Sequence, residues 1–112
     1  MQERGSGPPV ENLGPEQVKA GLEAGEILLI DVREPDETAA ERIAGGVPAP
    51  LKSFDPHSLP DPKGRRVVFY CRSGNRSVTS SLLAQQSGLP YDAHLAGGIK
   101  AWKAAGFDTE SG

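Results

Sequence analysis

The sequence predicts an α/β fold in which a small, mainly parallel sheet is flanked by helices on both faces. Short apolar segments alternate with helix-like segments along the whole chain, which favours strands joined by crossover helices. Residues 27–32, apart from Asp31, and residues 67–70 are apolar at successive positions, as in strands that are buried on both faces. The length of 112 residues, without an internal repeat, fits one domain.

Composition narrows the class of protein further. We expect a single domain at residues 10–108, a flexible N-terminal tail at 1–9 and a C-terminal tail at 109–112. The net charge of −3 gives no reason to expect nucleic acid or an anionic membrane as a partner. One cysteine excludes an internal disulfide, so nothing requires an oxidising compartment. No stretch resembles a signal peptide or a membrane span, and we expect a cytoplasmic protein.

The first half of the chain predicts three strands and two helices. Proline at the first helical position favours the helix starts at Pro15 and Pro35, and Gly25 favours the end of the first helix. The predicted elements are an edge strand at 10–13, a helix from 14–15 to 25, a central strand at 27–32, a helix at 35–42 and a turn into a brief strand at 45–48.

The second half begins with a segment that its prolines interrupt. Residues 54–63 are predicted to be irregular, with at most one helical turn. A strand–loop–helix unit follows at 66–88. A last short strand is predicted at 91–95, and a final helix at 97–105.

The strand–loop–helix unit carries the only cysteine at a chemically favourable place. Cys71 follows the apolar strand directly, and ligands of open α/β sheets bind at the carboxyl ends of strands. Gly74 and Asn75 tolerate unusual backbone angles, which allows successive N–H groups to turn inward around an anion. The next helix directs its positive end at the same point. Although a lone cysteine is more often a small buried hydrophobe, this position favours a nucleophile with a lowered pKa.

Four segments together resemble the rhodanese family of sulfurtransferases. Cys71 is followed by Arg-Ser-Gly-Asn-Arg-Ser, which is similar to the active-site loop of that family. The other three segments come in family order: Leu-Ile-Asp-Val-Arg at 29–33 with Glu37, Ile-Ala-Gly-Gly-Val at 43–47, and Leu-Ala-Gly-Gly-Ile-Lys-Ala-Trp at 95–102.

The resemblance implies a thiosulfate sulfurtransferase that carries sulfur as a persulfide on Cys71, the expected catalytic residue. The donor would be a small sulfur anion such as thiosulfate, and the acceptor cyanide, a thiol or a protein. Arg76 is the best candidate for holding the donor, since a guanidinium matches a pair of sulfonate-like oxygen atoms. The expected substrate-binding residues are Arg72, Ser73, Gly74, Asn75, Arg76 and Ser77.

Asp31 and Arg33 are expected to support the site by bracing adjacent loops through hydrogen bonds. No metal or organic cofactor is implied, because His57 and His94 do not form a ligand pattern with the single cysteine. We expect a monomer or a weak dimer. The chain departs from the family at Glu41-Arg42, where Gly-His is frequent, and at Ala44, where proline is frequent.

Two other functions remain open. A phosphatase or arsenate reductase uses a similar loop but needs five residues between cysteine and arginine, whereas four separate Cys71 from Arg76. A non-catalytic binding or regulatory module could use the same fold. A thiol–disulfide oxidoreductase is disfavoured because no second cysteine can resolve a mixed disulfide.

Overall fold

The computed structural model describes residues 9–111, so residues 1–8 of the predicted N-terminal tail lie outside the described part. The main elements are β1 (Glu11–Leu13), α1 (Pro15–Glu23), β2 (Ile27–Asp31), α2 (Pro35–Ala40), β3 (Val47–Pro48), β4 (Arg66–Tyr70), α3 (Asn75–Gln86), β5 (Ala93–Leu95) and α4 (Gly98–Ala104). Single 3-10 turns follow β3 at Leu51–Ser53 and Pro56–Ser58, and only the second lies in the proline-interrupted segment at 54–63.

The five strands form one sheet in the order β1-β5-β4-β2-β3. All four pairings are parallel, which confirms the predicted α/β class. The predicted edge strand is β1, and β2 and β4 lie inside the sheet. Because parallel strands align their carboxyl ends, Cys71 after β4 lies at the same edge of the sheet as the residues that follow β2 and β5.

Each face of the sheet packs against helices. Alternate residues of β4 divide between the faces, with Val68 and Tyr70 on one side and Val67 and Phe69 on the other. The first face is covered by Val18 of α1 and by Ile99 and Trp102 of α4. The second face is covered by Ala84 of α3 and by the segment between β3 and β4. Cys71 continues the second face, beneath α3.

The helix starts follow the sequence prediction. Pro15 and Pro35 occupy the first turns of α1 and α2. A side chain from the first turn accepts a hydrogen bond from the residue before each helix. Gly14 N–H donates to Oε1 of Gln17 at 2.9 Å, and Glu34 N–H donates to Oε1 of Glu37 at the same distance.

Two of the three residues that depart from the family pattern, Glu41 and Arg42, contact residues near the end of the described chain. Arg42 and Glu110 exchange backbone hydrogen bonds of 2.8 and 2.7 Å, and the Glu41 carboxylate accepts from Thr109 at 2.7 Å. These hydrogen bonds connect residues 109 and 110, in the predicted C-terminal tail, to the segment that follows α2. No helix within residues 9–111 has the length and apolar character that crossing a membrane requires.

Candidate active site

Cys71 lies at the base of the loop that joins β4 to α3. The residue is 1% exposed, and the Gly74 N–H donates to its Sγ at 3.1 Å. Gly74 has φ of +110°, a left-handed backbone conformation that residues with a Cβ rarely adopt. This turn lets the chain reverse over the sulfur and start α3 at Asn75. The loop therefore aims main-chain N–H groups at the thiol, as the sequence indicated.

The start of α4 holds the outer side of the same loop. Ile99 N–H donates to the carbonyl of Cys71 at 2.9 Å, and Lys100 N–H donates to the carbonyl of Arg72 at 3.1 Å. A Cβ at Gly98 would lie 2.4 Å from each of these carbonyl oxygens. Glycine is needed there because only a bare Cα fits against the loop. With its carbonyl groups turned towards α4, the loop has its amides free to face the sulfur.

The electrostatics of Cys71 combine two opposing effects. Burial raises the pKa of the thiol, since removal from water disfavours the thiolate. Hydrogen bonds from Ser77, Gly74 and Ser73 lower it by more, and the net pKa lies below the ordinary value of a cysteine. The sulfur thus has hydrogen-bonding neighbours, although Cys71 also contacts the apolar core on the α3 face.

Arg76 is held by Glu37 on the other side of the loop. Its two terminal nitrogen atoms donate to the two carboxylate oxygens of Glu37 at 2.6 and 2.9 Å. The Arg76 hydrogen bond lowers the pKa of Glu37 to about 2. Glu37 thereby connects the first turn of α2 to the cysteine loop. The expected role of Arg76 in holding a donor stays a prediction, because Glu37 already occupies both terminal nitrogens.

Asp31 and Arg33 form a buried network behind the site. The Arg33 guanidinium donates to both carboxylate oxygens of Asp31 at 3.0 and 2.8 Å. Tyr70 donates its hydroxyl proton to Asp31 at 2.9 Å and accepts from the N–H of Ile43 at 3.1 Å. Thr38 of α2 also donates to Asp31. The network joins β2, β4 and α2, and it does not reach the sulfur of Cys71.

The remaining predicted loop residues divide between surface and interior. Arg72, Ser73 and Asn75 are exposed, whereas Ser77 is fully buried. Arg72 lines a cavity of about 440 Å³ together with Lys100 and Lys103 of α4 and Glu37 and Glu41 from the α2 region. Cys71 is not on the wall of this cavity. Within residues 9–111, Arg72 and Lys100 form no ion pair, so both charges are available to an anion there.

One polar residue near the sulfur was not predicted for the site. His94 is 4% exposed, and its Nδ1 lies 2.8 Å from Oγ of Ser77, which in turn lies 3.6 Å from Sγ of Cys71. Its Nε2 lies 2.7 Å from Oδ1 of Asn12. Alternation along the strands could have found His94 only if the register of β5 against β4 had been known. In the sheet His94 pairs with Phe69, two residues before Cys71, so both point to the same face.

Comparison with known proteins gives concordant matches. The chain is 40% identical over 83 residues to an uncharacterized protein of Synechocystis sp., covering 74% of this chain and 46% of that protein. It therefore spans about half the length of this relative. A protein described as a sulfurtransferase in Allochromatium vinosum is 38% identical over 77 residues, which cover 69% of this chain and 72% of that protein.

A solved structure has the same fold. The crystal structure of thiosulfate sulfurtransferase from Pseudomonas aeruginosa superposes with a TM-score of 0.77 at 30% identity, covering 92% of this chain and 20% of that one. The family model described as Rhodanese-like domain matches residues 14–105, which include every strand except β1. The chain belongs to the rhodanese-like domain family.

Proposed function

We propose that the protein is a sulfurtransferase that carries sulfane sulfur on Cys71, with thiosulfate or a similar anion as donor. The observation that carries this proposal is the 3.1 Å hydrogen bond from the Gly74 N–H to Sγ, within a loop whose hydrogen bonds lower the pKa of the thiol. The family membership and the description of the Allochromatium relative support the same reaction class.

The reaction takes two steps. The Cys71 thiolate attacks the outer sulfur of thiosulfate, a sulfur–sulfur bond forms, and sulfite leaves with the electron pair of the bond that breaks. A nucleophile such as cyanide or a thiolate then attacks the outer sulfur of the persulfide and restores the thiolate. The loop amides serve both steps, because negative charge stays on sulfur throughout.

Access to the sulfur favours a narrow reactant. Because Cys71 is 1% exposed, a reactant must present a small end to it, and the terminal sulfur of thiosulfate is such an end. A tetrahedral phosphate or arsenate needs a wider loop. The loop from Cys71 to Arg76 contains six residues, one fewer than the phosphatase pattern requires. Phosphate transfer is therefore the weaker proposal.

The cavity beside the loop suits the charge of the reactants. Arg72, the neighbour of Cys71 in sequence, lines the cavity, and Lys100 adds a second cation without an ion-pair partner among the described residues. An anionic donor would be attracted to this side of the loop. The donor would then approach Cys71 past Arg72, while Arg76 adds positive charge from the Glu37 side.

Intact-mass analysis after incubation with thiosulfate tests the proposal. We expect the protein to gain one sulfur atom that cyanide removes, and Cys71→Ser to gain none. The serine variant is a close steric match and should keep the fold, which circular dichroism checks. If the unsubstituted protein gains no sulfur from thiosulfate or from other donors of sulfane sulfur, a non-catalytic binding module becomes the better description. Rapid hydrolysis of an aryl phosphate would instead favour a phosphatase.

A further inference from the structure

A line of buried hydrogen bonds leads from the sulfur of Cys71 to the far edge of the sheet. It runs through Ser77 at the start of α3 and His94 in β5, and it ends at Asn12 in the edge strand β1. Ser77 is 0% exposed and His94 is 4% exposed, whereas Asn12 is exposed. The line thus joins the thiol to the surface without passing through the cavity beside Arg72.

The position of the protons along this line follows from the acceptor at its end. Oδ1 of Asn12 can only accept, so Nε2 of His94 carries the proton that fills the 2.7 Å contact. The neutral ring then presents a bare Nδ1 to Ser77, and the Ser77 hydroxyl donates to it at 2.8 Å. A hydroxyl has one proton, so in this state Ser77 can only accept from the Cys71 thiol.

Protonation of the ring reverses the arrangement. With a proton on Nδ1, His94 donates to Oγ of Ser77, and the Ser77 hydroxyl can donate its own proton to a different acceptor. It can point to Sγ at 3.6 Å or to the carbonyl of Gly74 at 3.2 Å. A thiolate is the better acceptor of the two, because hydrogen bonds to charged groups are stronger. The charged ring therefore favours the thiolate, both by this hydrogen bond and by its charge.

We propose that His94 is a positioning residue that controls the ionisation of Cys71 through Ser77. This inference rests on the proposed role of Cys71 as the nucleophile. The S–H bond breaks as Oγ of Ser77 takes the proton, and the original Ser77 proton passes to Nδ1 of His94. The products are a thiolate, an intact serine hydroxyl and an imidazolium, so no proton is gained or lost. Asn12 fixes the ring in the tautomer that can accept.

Few other groups can form hydrogen bonds with the His94 ring or change its protonation. The elements packed against β5 are β1, β4 and α3, and from these Asn12 and Ser77 reach the ring directly and Cys71 through Ser77. Within residues 9–111, no acidic or basic side chain makes a hydrogen bond or an ion pair with His94. Burial lowers the pKa of His94, so the ring is neutral at rest and becomes charged only when a thiolate forms nearby to offset the cost of burying the charge.

The rate of alkylation of Cys71 by iodoacetamide, measured against pH, tests the proposal without any sulfur donor. His94→Asn keeps an acceptor near the place of Nδ1 but cannot be protonated. We expect it to slow alkylation at pH 7 by about tenfold, with an unchanged limiting rate in alkaline solution. Asn12→Asp should act in the opposite direction, since a carboxylate stabilises the imidazolium. His57→Asn makes the same chemical change in the exposed 3-10 turn and should leave the profile unchanged.

The proposal is overturned if folded His94→Asn has the wild-type profile, or if the variants at 94 and 12 shift it in the same direction. Nitrogen NMR of the His94 ring tests the unsubstituted protein independently of folding in the variants. We expect the Nε2–H tautomer and a titration that changes in Cys71→Ser. An Nδ1–H tautomer, or an identical titration in the serine variant, would exclude the relay. Sulfur loading from thiosulfate is measured separately, so the alkylation profiles and the NMR titration can still be interpreted if the sulfurtransferase proposal fails.

Discussion

Gly98 packs its Cα directly against the carbonyl oxygen of Cys71. A Cβ at this position would lie 2.4 Å from that oxygen, and Gly98 has φ of +63°. The Gly97-Gly98 pair at the start of α4 and the cysteine loop are therefore parts of one structure. The start of α4 binds the carbonyl groups of the loop, and the opposite side of the loop binds the sulfur.

Gly98→Ala should damage the loop more than the rest of the fold. The added methyl group meets backbone atoms that cannot move aside, so we expect a loss of roughly 2–4 kcal/mol in the free energy of unfolding and slower alkylation of Cys71. Urea unfolding and thiol alkylation measure the two effects. Gly25→Ala is a matched control, because its φ is +71° but its Cβ would lie in open space. Equal losses in both variants would mean that backbone strain alone matters.

The ion pair between Glu37 and Arg76 should depend on pH in a defined direction. The folded pKa of Glu37 is lowered from 4.5 to about 2, so its stabilising effect is present above pH 4.5 and is lost as the pH falls towards 2. We expect Glu37→Gln to lose on the order of 1 kcal/mol at neutral pH, since the pair is partly exposed. The difference from wild type should shrink as the pH falls from 4.5 and vanish below about pH 2. A difference that stays constant across this range would contradict the assignment.

Arg76→Ala should weaken the use of thiosulfate. The substitution removes a positive charge near Cys71 and leaves Glu37 unneutralised, so we expect an increase of about tenfold in KM. Steady-state transfer to cyanide measures it. Arg65→Ala removes the same charge at the opposite end of β4 and should leave KM unchanged. Equal KM values for Arg76→Ala and wild type would limit Arg76 to the bond with Glu37.

Tyr70→Phe should destabilise the network behind the site. Its hydroxyl donates to Asp31 and accepts from Ile43, and both partners are buried. Loss of the hydroxyl leaves them without that partner, which costs about 1–3 kcal/mol. Burial raises the pKa of Tyr70 to about 12, so its hydroxyl stays protonated over the usual pH range. Tyr91→Phe is the control, because within residues 9–111 no hydrogen bond involves the Tyr91 hydroxyl. Thermal unfolding compares the two variants, and equal losses would contradict the role of the network.

Local sequence signals predicted most of the fold. Prolines at 15 and 35 fixed the helix starts, and the continuous apolar segments fixed the two central strands. The cysteine loop could also be anticipated, because the strand, the Gly-Asn turn and the helix are adjacent in sequence. Each of these features depends on neighbours within a few residues, where backbone preferences act.

Relations across the sheet could not be predicted in this way. The bond between Glu37 and Arg76 joins residues that are 39 positions apart, and the contact of His94 with Ser77 requires the register of β5 against β4. A single polar residue in a short strand gives no indication of its partner. The fit of Gly98 against the loop likewise depends on how α4 packs, which its own sequence does not reveal.

The pairing of β1 with β5 also has a consequence for biosynthesis. Asn12 and His94 are 82 positions apart, so β1 has no neighbouring strand until β5, the last strand of this sheet, has been synthesised. Until β5 is in place, Asn12 cannot orient the His94 ring, and Ser77 lacks the ring nitrogen that accepts its hydroxyl proton. While β5 is missing, Cys71 should therefore react with alkylating agents as slowly as an ordinary thiol, both in a nascent chain and in a chain shortened before β5.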